Sequence, residues 1–260
     1  MAHRSRCRYG DSMSDTVFVR REDGLRLATR FQPGAGPAIV FLPGYMSDMT
    51  GSKATALFEW AGARGHACLL LDYSGCGDSE GEFAEGTLPI WRDDSLAAIA
   101  HHLPADAPVV LVGSSMGGWL MLLIALALGP RVAGLVGIAA APDFTEWGFS
   151  DTDKATIREA GRLEEPSEYS DEPYLTTRAF WESGQANLLL AGDIAIDAPV
   201  RLLHGQQDAD VPWHISLKLA AALRSSDVQT LLVKGGDHRL SRDQDIALLV
   251  RTVESLIAPL

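Results

Sequence analysis

Apolar and polar positions along this chain follow two rhythms. Short, continuous runs of β-branched and aliphatic residues occur at 38–42, 67–71, 109–112, 132–139, 200–204 and 228–233. Such runs predict strands buried on both faces. Between them lie stretches whose apolar residues recur three and four apart, the helical spacing. Residues 51–64 form one, stopped by Gly65. Residues 89–103 form another, with Trp91, Leu96, Ile99 and Leu103 along one face, and 213–223 and 242–257 follow the last two strand runs. Near the start, residues 16–20 and 25–31 flank Asp23-Gly24, a hairpin turn. This order predicts a mainly parallel α/β sheet with helices on both faces and antiparallel strands at one edge. In such sheets the reacting groups sit on loops at the carboxyl ends of strands.

The longest apolar run, 119–128, lies between Gly118 and Gly129-Pro130. It is far short of the roughly 20 residues that span a bilayer and suits a buried helix, so no membrane span is expected. The rhythm breaks from residue 141 to about 197. That stretch is polar and acidic, holding Glu164-Glu165-Pro166 and Asp171-Glu172-Pro173, yet it carries Trp147, Tyr169, Tyr174, Phe180 and Trp181. It reads as a small helical cap insertion, about 142–197, lying over the site within a single domain of residues 16–260. Its aromatic residues need an apolar surface to cover, or else they only anchor the insertion. Residues 1–15 read as a disordered tail. Arg4, Arg6 and Arg8 lack the apolar run of a secretory signal, and Asp11 interrupts an import-type pattern.

Composition changes the picture only at the margins. The 260 residues are 47% hydrophobic and 22% charged, as in an ordinary globular protein. The net charge of −12 argues against nucleic acid and anionic lipid as partners. Cys7, Cys68 and Cys76 are odd in number and lack C-x-x-C spacing, which implies neither a disulfide framework nor a zinc site. A reducing compartment follows, with the cytoplasm as the default. No oligomeric state can be read from the sequence.

The strand run at 109–112 leads into Gly113-Ser114-Ser115-Met116-Gly117-Gly118 and then into the apolar helix. Strand, sharp turn and helix place Ser115 at the apex of a nucleophile elbow. A serine hydroxyl needs a base to take its proton. His238, in Gly235-Gly236-Asp237-His238-Arg239, follows the last strand run. The strand ending in His204-Gly205 runs into a loop with two acids, Asp208 and Asp210, and spacing leaves both open as the third member. Asp237 adjoins His238, but sequence neighbours rarely aim their side chains at each other. The order Ser, Asp, His is that expected after such an elbow. A tetrahedral oxyanion needs two donors, and the Met116 N–H, at a helix start, is one. His101, His102 and His214 read as solvated or packing residues, and His204 as closing its strand. Gly75-x-Gly77 lacks the rest of a dinucleotide fingerprint, and no H-E-x-x-H is present, so no cofactor or metal is expected.

These motifs resemble the α/β-hydrolase family from residue 17 to residue 256. Leu42-Pro43-Gly44-Tyr45-Met46-Ser47-Asp48-Met49, the elbow, Arg201 to Gly205 with Val211-Pro212-Trp213-His214, and Asp237-His238-Arg239 are similar to one branch of it. That branch holds the mitochondrial palmitoyl-protein thioesterase that also acts as an acyl-glucuronide esterase. The resemblance implies an α/β-hydrolase fold with an eight-stranded sheet. It implies Asp208 as the acid and the Tyr45 N–H as the second oxyanion donor. The side chains of Tyr45 and Met46 either line the acyl pocket or only pack the loop, and Trp213 is expected beside the pocket with Met46. The common pattern has His-Gly where this chain has Pro43-Gly44, which keeps the backbone donor and removes an imidazole. Asp72 and Ser79 match a structural turn of the family. The expected activity is hydrolysis of a small to medium acyl ester or thioester through an acyl-enzyme. The competing class is a binding module on the same scaffold that does no chemistry.

Overall fold

The computed structural model describes residues 15–166 and 173–257. Most of the expected tail lies outside them, as do Cys7, Tyr169, Asp171 and Glu172.

The chain opens with β1 (Val17–Arg20) and β2 (Arg26–Gln32), joined through Gly24 at φ +94. Then come β3 (Ala35–Leu42), α1 (Ser52–Arg64), β4 (His66–Leu71), α2 (Leu88–His102), β5 (Val109–Ser114), α3 (Met116–Leu128) and β6 (Val132–Ile138). After a long excursion the sheet resumes with β9 (Val200–Gly205), α7 (His214–Ala222), β10 (Val228–Val233) and α8 (Asp243–Ile257). The eight strands lie in the order β1-β2-β4-β3-β5-β6-β9-β10. β2 pairs antiparallel with β1 and β4, and every other pairing is parallel.

Continuous apolar strands follow from this burial. In β5, Val109 and Leu111 join the core on one face, and Val110 and Val112 the core on the other. The first core is closed by α2, α3 and α7, the second by α1 and α8. α3 is apolar all round because Met116 through Ala125 are all buried. β10 departs from the pattern. It forms the sheet edge, and Leu231 and Leu232 are exposed. Chain order reverses at β3, since β4 lies on one side of it and β5 on the other. The carboxyl ends of β3 and β5 thus form the crevice at which open sheets of this kind accommodate ligands.

The excursion between β6 and β9 holds α4 (Phe144–Trp147), α5 (Asp151–Ala160), β7 (Arg162–Glu165), β8 (Tyr174–Thr177) and α6 (Arg178–Gln185). β7 and β8 form an antiparallel ribbon of their own, where the sequence predicts helix alone. Arg162-Leu163-Glu164-Glu165 carries one apolar residue and is mostly exposed, so no period-two alternation marks it. The base of the excursion is pinned by Asp143, whose carboxylate accepts the N–H groups of Leu189 (2.8 Å) and Leu190 (2.7 Å).

Candidate active site

Ser115 sits between β5 and α3 with φ +55 and ψ −120. For a residue with a Cβ that conformation costs about 1–3 kcal/mol. Backbone bonds on both sides hold it there. Its N–H donates to Ile138 O at 2.9 Å, and its carbonyl accepts from Gly118 (2.9 Å) and Ala141 (3.0 Å). The flanking glycines are a packing requirement. A Cβ at Gly113 would lie 2.3 Å from the Gly117 carbonyl oxygen, and one at Gly117 would lie 2.1 Å from the Leu42 carbonyl oxygen.

Ser115 Oγ lies 3.1 Å from His238 Nε2, and His238 Nδ1 lies 2.9 Å from Asp208 Oδ2. These side chains come from the ends of β5, β9 and β10. The parallel register of β9 and β10 pairs Val233 with Gly205, so the loops after the two strands start side by side. Gly205 lets them touch, for a Cβ there would fall 2.3 Å from the Gly236 carbonyl oxygen. Asp208 Oδ1 accepts the N–H groups of Asp210 (2.9 Å) and Val211 (2.8 Å), which turns Oδ2 toward His238. Asp237 Oδ1 accepts the Leu240 N–H at 2.9 Å. Asp210 is exposed.

Burial would raise the Asp208 carboxyl, but hydrogen bonds from His204 and then His238 outweigh it and hold the group well below the usual carboxylate range. Asp208 is therefore a permanent anion beside the imidazole. Burial pushes the Cys76 thiol up to about 12, which removes it as a nucleophile near neutral pH. Burial likewise raises Asp72 to about 6. Its oxygens accept the N–H groups of Met49 (2.7 Å) and Asp78 (3.0 Å), tying the end of the loop after β3 to the glycine turn.

That loop lies against the elbow. A Cβ on Gly44 would sit 3.4 Å from the Ser115 Cβ. Met46 has φ +52. Neither the Tyr45 N–H nor the Met116 N–H has a protein acceptor among the described residues. The Tyr45 hydroxyl donates to Leu175 O at 2.5 Å, and its ring meets Phe83, Trp91, Phe144 and Phe180.

A cleft of about 780 Å³ opens over Ser115 and His238. Tyr45 and Met46 line it, with Phe144, Trp147 and Phe149 from the excursion. Trp213, expected beside the acyl pocket, is not in its wall. It precedes α7, with its ring edge-on to His214. Lys53, from the start of α1, also faces the cleft and donates to Arg239 O at 2.6 Å. Burial, helped by the Arg239 charge, lowers its ammonium to about 8. Asp208, Asp210 and His238 bring ligand atoms within 4.8 Å of one another, which is geometry enough for a cation. Two of those three groups are already bonded to each other. Sequence reasoning missed Phe144 and Phe149, because an aromatic residue in a polar stretch does not say which surface it covers.

The sequence profile described as the Alpha/beta hydrolase family matches residues 39–256. Human mitochondrial palmitoyl-protein thioesterase ABHD10 is 42% identical over 255 residues, spanning 96% of this chain and 82% of that protein. The solved structure of mouse alpha/beta hydrolase domain-containing protein 10 superposes with a TM-score of 0.87 at 39% identity, covering 94% of this chain and 98% of that one. A crystal structure from Agrobacterium vitis S4 gives 0.86 at 40% identity, with the same coverage. These relatives correct the cytoplasmic location expected from the sequence, because the human protein and its mammalian counterparts are mitochondrial by name. The cysteine count and spacing do not distinguish one compartment of this kind from another. With its strand order, its elbow and a profile match over most of its length, the chain belongs to the alpha/beta hydrolase family.

Proposed function

We propose that this protein hydrolyses esters or thioesters of small to medium acyl groups, with Ser115 as nucleophile, His238 as general base and acid, and Asp208 as the group that orients the histidine. The observation that carries the reading is the unbroken pair of hydrogen bonds from Ser115 Oγ through the His238 ring to Asp208. His238 Nε2 takes the hydroxyl proton as Oγ attacks the acyl carbonyl. The oxyanion that forms is met by the N–H groups of Met116 and Tyr45, both without a protein acceptor among the described residues. The imidazolium passes its proton to the departing alcohol or thiol, leaving the acyl group on Ser115. Water then attacks with His238 again as base, releasing the acid and restoring the serine.

Residues 16–260 form one hydrolase domain in this reading, with residues 142–197 as its cap. Phe144, Trp147 and Phe149 supply the apolar wall for the acyl chain. The cleft volume suits a small-molecule substrate. The palmitoyl-protein thioesterase name of the human relative favours a thioester among the substrates. The test is fluorophosphonate labelling together with a panel of acyl-CoA, S-acyl peptide and p-nitrophenyl esters of graded chain length. Labelling and turnover in the wild type, both lost in a folded Ser115→Ala variant, are expected. A folded wild type that neither labels nor turns over any member of the panel is a binding module, and the proposal fails.

A further inference from the structure

His204 stands behind the three residues just assigned. It is the fifth residue of β9 and is fully buried. Its Nε2 lies 3.1 Å from Asp208 Oδ2 and 2.9 Å from the Val211 carbonyl oxygen, and its Nδ1 lies 2.7 Å from Ser216 Oγ. A carbonyl oxygen only accepts, so Nε2 carries the proton and shares it between Val211 and Asp208. Nδ1 then accepts from the Ser216 hydroxyl. The Asp208 oxygen that holds His238 is thus the same one that holds His204. With the two backbone N–H groups on Oδ1, the carboxylate has four donors and its plane is locked.

We propose that His204 is a positioning residue for hydrolysis, fixing Asp208 and dividing the pull of its Oδ2 between two imidazoles. This rests on the proposed roles of Ser115, His238 and Asp208. Two consequences follow from the geometry. Without the His204 donor the carboxylate keeps three donors instead of four and turns more easily, so His238 is held in its tautomer for less of the time, which lowers kcat more than it changes KM. Oδ2, relieved of its second donor, also stabilises the His238 imidazolium more strongly, which moves the acid limb of the kcat/KM profile to higher pH. The other charged groups around His238 are Asp237 and Arg239 on its own loop, Asp210 after β9, Lys53 reaching Arg239 from α1, and Asp48 and Glu165 across the cleft; His204 bonds to none of them.

The test compares His204→Leu, which keeps bulk and removes the donor, with His204→Gln, whose amide reaches the same place. Folding is checked by circular dichroism, and fluorophosphonate labelling of the wild type checks the Ser115 assignment separately. The expected loss in kcat is roughly 10- to 100-fold for His204→Leu, the scale of one hydrogen bond to a charged group, with KM nearly constant and the acid limb displaced upward. His204→Gln should recover most of the rate. A folded His204→Leu enzyme with wild-type kcat and pH profile overturns the inference, as does a glutamine variant that loses as much as the leucine one. Nitrogen-15 spectra of the wild-type histidines need no variant to fold. They should show the His204 proton on Nε2, and a proton on Nδ1 alone overturns the inference. Failure of the wild type to label would remove the underlying reading instead.

Discussion

Asp208 and Asp210 are two residues apart and chemically identical, and only their surroundings separate them. The Asp208 side chain is fully buried and accepts from two histidine rings, whereas Asp210 is exposed and contributes a backbone N–H to Asp208. In Asp208→Asn the amide oxygen stays on the Asp210 and Val211 N–H groups, so the NH2 donor faces His238 Nδ1–H where an acceptor stood, and flipping the amide sets the NH2 against the two backbone donors instead. The substitution should lower kcat by roughly 10³- to 10⁴-fold, the scale known for such a change beside a catalytic histidine. Asp210→Asn should cost no more than a few-fold. Initial rates on one p-nitrophenyl ester decide, and the reverse ranking would move the role proposed for Asp208 to Asp210.

At the scale of elements, the elbow and the excursion make opposite demands on the chain. The elbow tolerates nothing larger than hydrogen at Gly117, since a methyl group would overlap the Leu42 backbone of the neighbouring strand. Gly117→Ala should therefore destabilise the fold by more than about 2 kcal/mol, because β3 or α3 must move apart, and should abolish labelling of Ser115. Urea unfolding measures the first effect, and near-wild-type stability would contradict the close approach. The excursion is held at its base by Asp143, a buried carboxylate gripping two N–H groups. In Asp143→Ala those groups are left without their acceptor, so limited proteolysis should cut first within residues 142–197 while the sheet survives. Cleavage beginning elsewhere, with that segment intact, would show that other contacts anchor it.

For the molecule as a whole, half-buried His102 and buried Asp72 tilt stability with pH in opposite directions. His102 stacks on Phe31 and bonds Thr29, and burial, with the His101 charge, lowers its folded pKa to about 4. The unfolded chain takes that proton first, so this group removes stability as pH falls from about 6.5 to 4. Asp72, raised to about 6 by burial, is protonated first in the folded state and adds stability as pH falls through 6 toward 3.8. Single variants separate them. In His102→Gln the difference in melting temperature between pH 7 and pH 5 should shrink, and an unchanged difference would mean that His102 does not contribute to acid sensitivity.

The sequence alone carried the order of strands and helices, because burial on two faces demands unbroken apolar runs and burial on one demands helical spacing. It also singled out Ser115, between Gly113 and Gly117 where a Cβ would clash, and His238, as the histidine on a glycine turn after the last strand; the structure sets the two side chains 3.1 Å apart. The β7–β8 ribbon was not legible, for its one apolar residue in β7 sets no period. Spacing left Asp208 and Asp210 both open, and only the family resemblance favoured Asp208; the placement of Trp213 outside the cleft wall and the double duty of Asp208 Oδ2 between His238 and His204 were not legible at all. Local pattern reports how a segment is buried, whereas which atoms meet depends on the register of β9 against β10 and on loops pressed together at Gly205 and Gly236. Those contacts join residues about thirty positions apart, and only the assembled sheet brings them within bonding distance.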